Sequence, residues 1–141
     1  MAGGVFVDTS FLLALLWPRD PEHGRAAAWR AHVLRHRPPL VTTEAVLWEL
    51  LNALSAPATR GAAYHAYTQV HSDPQFDVVD FDGRLSRAAL DLYAARADKG
   101  WGVTDCLSFV VMRDRGVSDA LTKDRHFEQA GYAALLLRDP P

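Results

Sequence analysis

Five short apolar segments, separated from one another by predicted helices, constrain the fold of this chain more than any other feature. They cover residues 4–7, 40–41, 76–79, 118–122 and 133–137. Segments of this length are typical of strands, and strands that alternate with helices form parallel sheets. The sequence therefore predicts an α/β fold in which helices cover both faces of a mostly parallel central sheet.

Seven predicted helices fill the intervals between these strands. They cover residues 9–16, 21–36, 43–55, 59–71, 82–98, 105–115 and 125–130. A proline follows each of the first three, because this residue cannot continue a helix. Thr42 or Thr43 is predicted to cap the third helix and Thr104 the sixth. Gly116 is predicted to end the sixth helix.

The chain has the length and composition of one globular domain that spans residues 1–141. Hydrophobic residues make up 49% and charged residues 23% of the chain, which is ordinary for this class of protein. No apolar stretch approaches the ~20 residues of a membrane span. Asp8 interrupts the N-terminal apolar run, which argues against a signal peptide. Cys106 is the single cysteine, so an internal disulfide is excluded and a cytoplasmic location is predicted.

The charge balance limits the kinds of nucleic-acid surface that the chain can have. A formal net charge of −2 argues against a generally basic surface. It leaves room for a local basic rim beside a metal ion, since the ion itself supplies positive charge where a phosphate binds. The absence of a glycine-rich phosphate loop argues against a nucleotide-binding enzyme.

Four carboxylates lie where the predicted strands and helices begin or end, or on apolar helices. Asp8 and Asp124 each follow a predicted strand, whereas Glu49 and Asp105 lie on predicted apolar helices. The carboxyl ends of parallel strands share one edge of the sheet, and functional crevices lie at that edge. We therefore expect the four carboxylates to converge there.

Each acid taken alone also has a structural explanation. Asp8 and Asp124 stand where N-caps are expected. Asp105 lies in the first turn of its helix, where a negative charge complements the helix dipole by ~0.3–1 kcal/mol. Glu49 can be an acid at the edge of an exposed face, although Asn52 and small neighbours on that face leave room for an ion.

Taken together, the acids predict a metal-dependent nuclease site. Converging carboxylates repel one another unless they are protonated or share a cation. Oxygen ligands in this number suit one or two ions of Mg²⁺ or Mn²⁺. Two other classes stay open: a phosphatase with Asp8 as covalent nucleophile, and a non-catalytic regulatory or binding domain. The phosphatase mechanism usually needs a second acid at the position that Ser10 occupies.

Four segments carry a family resemblance across nearly the whole chain. They are Val7-Asp8-Thr9-Ser10, TTEAVLWELLN at residues 42–52, WGVTDCLSF at residues 101–109 and LTKDRHF at residues 121–127. In this order they resemble the motifs of PIN-domain proteins, particularly the VapC-type toxins of bacterial toxin–antitoxin pairs.

The resemblance implies a compact three-layer α/β/α fold and a divalent-metal-dependent endoribonuclease. The acids that match the family's motifs are Asp8, Glu49, Asp105 and Asp124. The resemblance also implies an RNA substrate, a cognate antitoxin that blocks the site, and a homodimer. A PIN-type nuclease that processes RNA without being a toxin is the alternative within the family.

Further side chains are assigned supporting roles around the acids. Those predicted to orient ligands or waters are Thr9, Ser10, Asn52, Thr104 and Ser108. Those predicted to contact the RNA backbone are Lys99, Lys123 and Arg125, with a solvated rim as the structural alternative. His32 and His36 have helical i, i+4 spacing but no third ligand, so an exposed helix face is predicted. His126 lies near Asp124, where it could contact the substrate, but a histidine at a helix end is the simpler interpretation.

Overall fold

In the computed structural model, which describes residues 3–141, five strands and seven helices alternate along the chain. The strands are β1 (Val5–Val7), β2 (Leu40–Thr43), β3 (Phe76–Val79), β4 (Asp119–Leu121) and β5 (Ala133–Ala134). The helices are α1 (Thr9–Leu16), α2 (His23–His36), α3 (Glu44–Ala53), α4 (Arg60–Ser72), α5 (Gly83–Ala95), α6 (Val103–Arg115) and α7 (Arg125–Gln129).

The five strands form one sheet in the order β3-β2-β1-β4-β5, and all of its pairings are parallel. Val5 of the central strand is aligned with Leu40 of β2 on one side and Asp119 of β4 on the other. The predicted α/β fold with a parallel central sheet is therefore confirmed. All five carboxyl ends lie at one edge, which brings the residues after β1 and β4 together.

The core is built around β1, because its position in the middle of the sheet removes it from solvent on both faces. Val5, Phe6 and Val7 are fully buried, as their uninterrupted apolar sequence predicts. Helix α1 packs against α2 and α3, and α5 packs along α6. Within residues 3–141, the structure contains no helix of the length and apolarity that crossing a membrane requires.

The prediction of a strand over residues 133–137 is wrong in its second half. The strand β5 contains only Ala133 and Ala134, and Leu135–Leu137 form a short 3-10 helix. Leu135 and Leu136 are nevertheless buried, and the Leu136 N–H donates to the Thr122 carbonyl at 3.1 Å. A short apolar run indicates burial but does not distinguish a strand from a buried helical turn.

Two helix ends differ from their predicted positions. Helix α6 begins at Val103 after Gly102, so Thr104 lies inside the first turn and is not the cap. Helix α5 ends at Ala95 rather than near residue 98. The Arg96 guanidinium and the Asp98 carboxylate form two hydrogen bonds, of 3.0 and 3.1 Å, in the loop that follows α5. By contrast, Gly116 ends α6 with φ +64°, as predicted.

The prediction that His32 lies on an exposed helix face is also wrong. Its ring is buried and packs edge-on against Trp29, with 5.4 Å between the ring centroids. The His36 ring lies 4.3 Å away on the exposed side. Burial lowers the pKa of His32, which favours the neutral imidazole in this packing role.

Thr43, the N-cap of α3, contributes to the stability of the fold in a way that can be tested. The buried Thr43 hydroxyl accepts a hydrogen bond of 3.1 Å from the Val46 N–H. We expect Thr43→Ala to lower the free energy of unfolding by about 1 kcal/mol, because an N–H of the first turn loses its partner. Thr43→Ser keeps the hydroxyl and should stay close to wild type in urea unfolding. Equal losses in both variants would assign the effect to the methyl group instead.

Candidate active site

The carboxyl edge of the sheet brings together residues from both ends of the chain. Val7 is aligned with Leu121, and the Asp8 N–H donates to the Leu121 carbonyl at 3.2 Å. The residues after β1 therefore lie beside the residues after β4. Because this register is fixed by the two central strands, the first and last of the predicted acids, Asp8 and Asp124, are placed at the same edge.

Asp8 is held by two hydroxyl groups, one from α1 and one from the segment after β4, and not by a capping bond to a backbone N–H of its helix. Its side chain is buried, and its Oδ2 accepts hydrogen bonds from Thr122 Oγ1 at 2.8 Å and Ser10 Oγ at 3.2 Å. The two hydroxyl oxygens lie 3.1 Å from each other. Asp8 occupies the N-cap position of α1 without making a side-chain capping bond. The capping explanation of this acid is therefore excluded.

Asp124 combines the capping role with a place in the acid group. Its Oδ1 accepts a 2.8 Å hydrogen bond from the His126 N–H, so it caps α7. The Asp124 N–H in turn donates to Thr122 Oγ1 at 3.0 Å. Thr122 thus links the side chain of Asp8, after β1, to the backbone N–H of Asp124, after β4.

The imidazole of His126 bridges two of the acids. Its Nδ1 lies 3.0 Å from Asp105 Oδ2 and 3.3 Å from Asp124 Oδ1. One potential ligand atom from each of these three residues lies within 4.8 Å of the other two. Interpreting His126 as an ordinary helix-end histidine missed this contact. The sequence offered one signal for this contact, which is that His126 lies two residues after Asp124, the acid that follows β4.

Glu49 reaches the same region from α3. Its Oε2 lies 3.1 Å from the hydroxyl of Thr9, which also lies 3.2 Å from the Val46 carbonyl. Glu49 itself is exposed, whereas Thr9 is buried. The other acid of this segment, Glu44, is buried and accepts a 3.0 Å hydrogen bond from the Tyr67 hydroxyl of α4. Glu44 therefore braces two helices, and Glu49 is the acid of α3 that faces the group.

Two of the carboxylates, Asp8 and Asp105, have a raised pKa at this edge. Burial raises the pKa of Asp8 to about 6, and the charge of Asp105 contributes to the increase. Burial also raises the pKa of Asp105, and repulsion from Asp124 and Glu49 adds to it. Asp8 and Asp105 thus lie in a partly desolvated region, with Asp124 and the exposed Glu49 nearby, and a cation there relieves both effects. Oxygen donors in this number, with one imidazole nitrogen, fit a divalent metal ion.

The pKa of Asp8 predicts how the stability of the metal-free protein depends on pH. The group titrates near 3.8 when unfolded and at about 6 when folded, so the folded state binds its proton more tightly. Its contribution favours folding below about pH 4 and is lost as the pH rises to about 6, a change of roughly 3 kcal/mol.

Chemical denaturation in EDTA, compared between wild type and Asp8→Asn from pH 4 to pH 8, measures this contribution. The variant should gain stability relative to wild type as the pH rises through this interval. A difference between the two proteins that stays constant with pH would contradict the raised pKa.

The remaining supporting residues differ in what they contact. Ser10 contacts Asp8 and Thr9 contacts Glu49, as described above. The Ser108 hydroxyl is buried and donates to the Thr104 carbonyl at 3.0 Å, within α6 itself. Asn52 is exposed on α3. The buried hydroxyl of Thr122, which sequence reasoning did not single out, makes the shortest side-chain contact to Asp8.

Basic residues flank the acids on two loops and at the start of α7. Lys123 and Arg125 are exposed beside Asp124, and Arg125 forms a 2.9 Å ion pair with Glu128. Lys99 precedes Gly100 in the loop between α5 and α6. A β-carbon added at Gly100 would lie 3.9 Å from His126 Nε2, so this loop passes close to the acids. A local basic rim therefore accompanies a net charge of −2.

Comparison with known proteins identifies the family. The sequence profile of the PIN domain matches residues 5–132. This chain belongs to the PIN-domain family. The match includes all four acids and both hydroxyl residues that hold Asp8, Ser10 and Thr122, so the site described above lies wholly inside the PIN domain.

Individual PIN-domain proteins resemble the chain over most of its length. The 23S rRNA-specific endonuclease VapC20 of Mycobacterium tuberculosis is 32% identical over 132 residues, which are 91% of this chain and 95% of the relative. The crystal structure of Mycobacterium tuberculosis VapC20, a sarcin-ricin loop cleaving toxin, has a TM-score of 0.82 at 27% identity and covers 94% of this chain and 98% of that chain.

A more distant structure shares the fold. FitAcB from Neisseria gonorrhoeae has a TM-score of 0.65 at 18% identity, and the alignment covers 92% of this chain and 95% of that chain. The sequence-based assignment to the PIN family and its α/β/α fold is therefore confirmed.

Proposed function

We propose that this PIN-domain protein is a divalent-metal-dependent endoribonuclease, and that it acts as the toxin of a toxin–antitoxin pair. The observation that carries the proposal is the convergence of Asp8, Glu49, Asp105 and Asp124 at one edge of the sheet, where their mutual repulsion calls for a cation. The similarity to a 23S rRNA-specific endonuclease over 91% of the chain supports the same reaction class.

The four carboxylates would hold one or two ions of Mg²⁺ or Mn²⁺. Such an ion polarises a scissile phosphate and orients a water for attack. Thr122 and Ser10 fix the orientation of the Asp8 carboxylate, because both donate to the same oxygen. Holding that carboxylate in one orientation lowers the entropy cost of binding an ion and substrate.

The substrate-binding role belongs to the basic rim. Lys99 and Lys123 lie on the two loops that flank the acids, and Arg125 begins α7, where these side chains can pair with backbone phosphates. The Lys123 N–H donates to Ser10 Oγ at 3.1 Å, so the backbone that carries this side chain is tied to the hydroxyl network of Asp8. Contacts of this kind position RNA without reading its sequence.

The substrate that we propose is a structured ribosomal RNA. VapC20, the relative with 32% identity, is a 23S rRNA-specific endonuclease, and its crystal structure is that of a sarcin-ricin loop cleaving toxin. The alignment covers 91% of this chain and 95% of that relative, which supports a comparison over the whole domain. A hairpin that contains a sarcin–ricin loop is the first RNA to test.

A toxin of this kind needs a cognate antitoxin, and we propose one here. An apolar groove of about 360 Å³ lies between α1, α2 and α4, and Leu16 and Leu34 on its wall are 37% and 42% exposed. Its size and apolar lining suit a partner segment. A homodimer and a cytoplasmic location accompany the toxin proposal. Co-purification with the product of a small neighbouring gene is the direct test of the partner.

RNA cleavage by the purified protein tests the enzymatic proposal. A hairpin with a sarcin–ricin loop and a scrambled hairpin of equal length are incubated with Mg²⁺ or Mn²⁺, with EDTA, and with Asp8→Asn prepared in parallel. We expect cutting that requires the metal and disappears in the variant. Equal cutting by the variant indicates a contaminating ribonuclease. An intact hairpin in every metal, together with no metal binding by calorimetry, would support the binding-domain alternative.

A further inference from the structure

The His126 imidazole occupies the space between two acids at the place where a cation is proposed. Its Nδ1 is 3.0 Å from Asp105 Oδ2 and 3.3 Å from Asp124 Oδ1, at hydrogen-bonding distance from both carboxylates. In the metal-free protein, a hydrogen on Nδ1 can be donated to Asp105 Oδ2, and Asp124 Oδ1 lies close beside it. A divalent cation between the two carboxylates would bridge them in the same way as the imidazole, with a larger positive charge.

The ring is held in this place by its neighbours in the chain. The His126 N–H is fixed by the Asp124 cap at 2.8 Å. The next residue, Phe127, is fully buried against Phe109, with ring centroids 4.9 Å apart and an interplanar angle of 85°. Because both sides of His126 are anchored, the position of its side chain is set by the fold rather than by a flexible loop.

The second ring nitrogen faces away from the acids. A β-carbon at Gly100 would lie 3.9 Å from Nε2, so this nitrogen points toward the loop between α5 and α6. When Nδ1 serves as a ligand, the ring proton stands on Nε2, on the side of the loop. His126 thus presents one nitrogen to the acids and the other to the loop, an arrangement that metal-binding histidines use.

We infer that His126 is a ligand, through Nδ1, of the divalent ion held by Asp105 and Asp124, and that it biases this site toward Mn²⁺ over Mg²⁺. The inference rests on the proposed metal-dependent function. Magnesium prefers oxygen ligands almost exclusively, whereas Mn²⁺, although it also binds carboxylates, accepts an imidazole nitrogen more readily than Mg²⁺ does. One nitrogen among several oxygens therefore favours Mn²⁺ without excluding Mg²⁺.

A purely structural role for His126 predicts a different result. In that case Nδ1–H is hydrogen-bonded to Asp105 beside Asp124, and the ring stays out of the coordination sphere when a metal binds. Removing the imidazole would then affect folding, and it would change the affinities for Mn²⁺ and Mg²⁺ by the same factor. The two explanations differ in whether a nitrogen is directly bonded to the ion, which is a spectroscopic question.

Pulsed EPR of Mn²⁺ added to the full-length, metal-free protein answers it. We expect a ¹⁴N hyperfine coupling in wild type that changes to a ¹⁵N pattern in uniformly ¹⁵N-labelled protein and is lost in His126→Gln. His65→Gln is the matched control, because this exposed histidine of α4 contributes no atom to the acid group. Calorimetry should show Mn²⁺ affinity falling by roughly tenfold in His126→Gln and Mg²⁺ affinity falling less.

The outcomes separate this inference from the proposed function. Mn²⁺ that binds to wild type without any directly bonded nitrogen overturns the role of His126 and leaves a metal site made of carboxylates. A coupling that persists in folded His126→Gln overturns it as well. The absence of Mn²⁺ binding to wild type overturns both proposals. The wild-type spectrum is informative by itself, so the test does not depend on the stability of the variant.

Discussion

Asp105→Asn is expected to reduce RNA cleavage by at least about a hundredfold while stabilising the metal-free protein at neutral pH. Burial raises the pKa of Asp105, and repulsion from Asp124 and Glu49 adds to the cost of its charge. An amide removes that charge, and its oxygen can still accept the hydrogen bond from His126. The same change removes one of the carboxylates that we propose as metal ligands.

Thermal melts in EDTA and cleavage assays in Mn²⁺ measure the two effects on one preparation. Asp91→Asn is the matched control, because this exposed acid on α5 lies outside the group. The control should change neither property appreciably. If Asp105 served only the dipole of α6, its replacement would be neutral or mildly destabilising. A clear loss of stability in EDTA would therefore contradict the clustering of the acids.

Phe127→Ala is expected to lower the free energy of unfolding by about 3–5 kcal/mol, the usual cost of removing a fully buried phenylalanine. The ring packs against Phe109 at 4.9 Å and Phe6 at 6.2 Å between centroids, so it joins α7 to α6 and to the central strand. The cavity left by the change would also free His126, the preceding residue. Weaker Mn²⁺ binding should accompany the loss of stability.

Urea unfolding of Phe127→Ala beside Phe81→Ala measures this contribution. Phe81 is 50% exposed and packs against the exposed Trp48, so its removal leaves no internal cavity. We expect the control to lose less than about 1 kcal/mol. Similar losses in the two variants would show that α7 is not anchored through its phenylalanine.

The strands and the acids could be predicted because each rests on a short-range pattern. An unbroken apolar run such as Val5–Val7 indicates a strand buried on both faces, and Asp8 directly after it marks the carboxyl end. Parallel connection through helices then places Asp8 and Asp124 at one edge without further information. The capping explanation of Asp8 could not be excluded in this way, because it depends on the side chain's partner.

The partners themselves were outside the reach of the sequence. Thr122 and Asp8 are separated by 114 residues, and only the register of β1 with β4 makes them neighbours. The partner of His126 was equally out of reach, because its contact with Asp105 depends on how α7 crosses the start of α6. The end of β5 was misplaced for a related reason: burial of Leu135 is compatible with a strand and with a 3-10 turn.

The placement of β1 beside β4 has a consequence for the timing of biosynthesis. The central strand is made first, but its neighbour on one side and the acid that follows that neighbour are made near the end of translation. A ribosome that has synthesised three quarters of the chain carries Asp8, Glu49 and Asp105 without Thr122, Asp124 or the strand that aligns them. A nuclease built in this order becomes competent only as it leaves the ribosome, whose RNA is its proposed substrate.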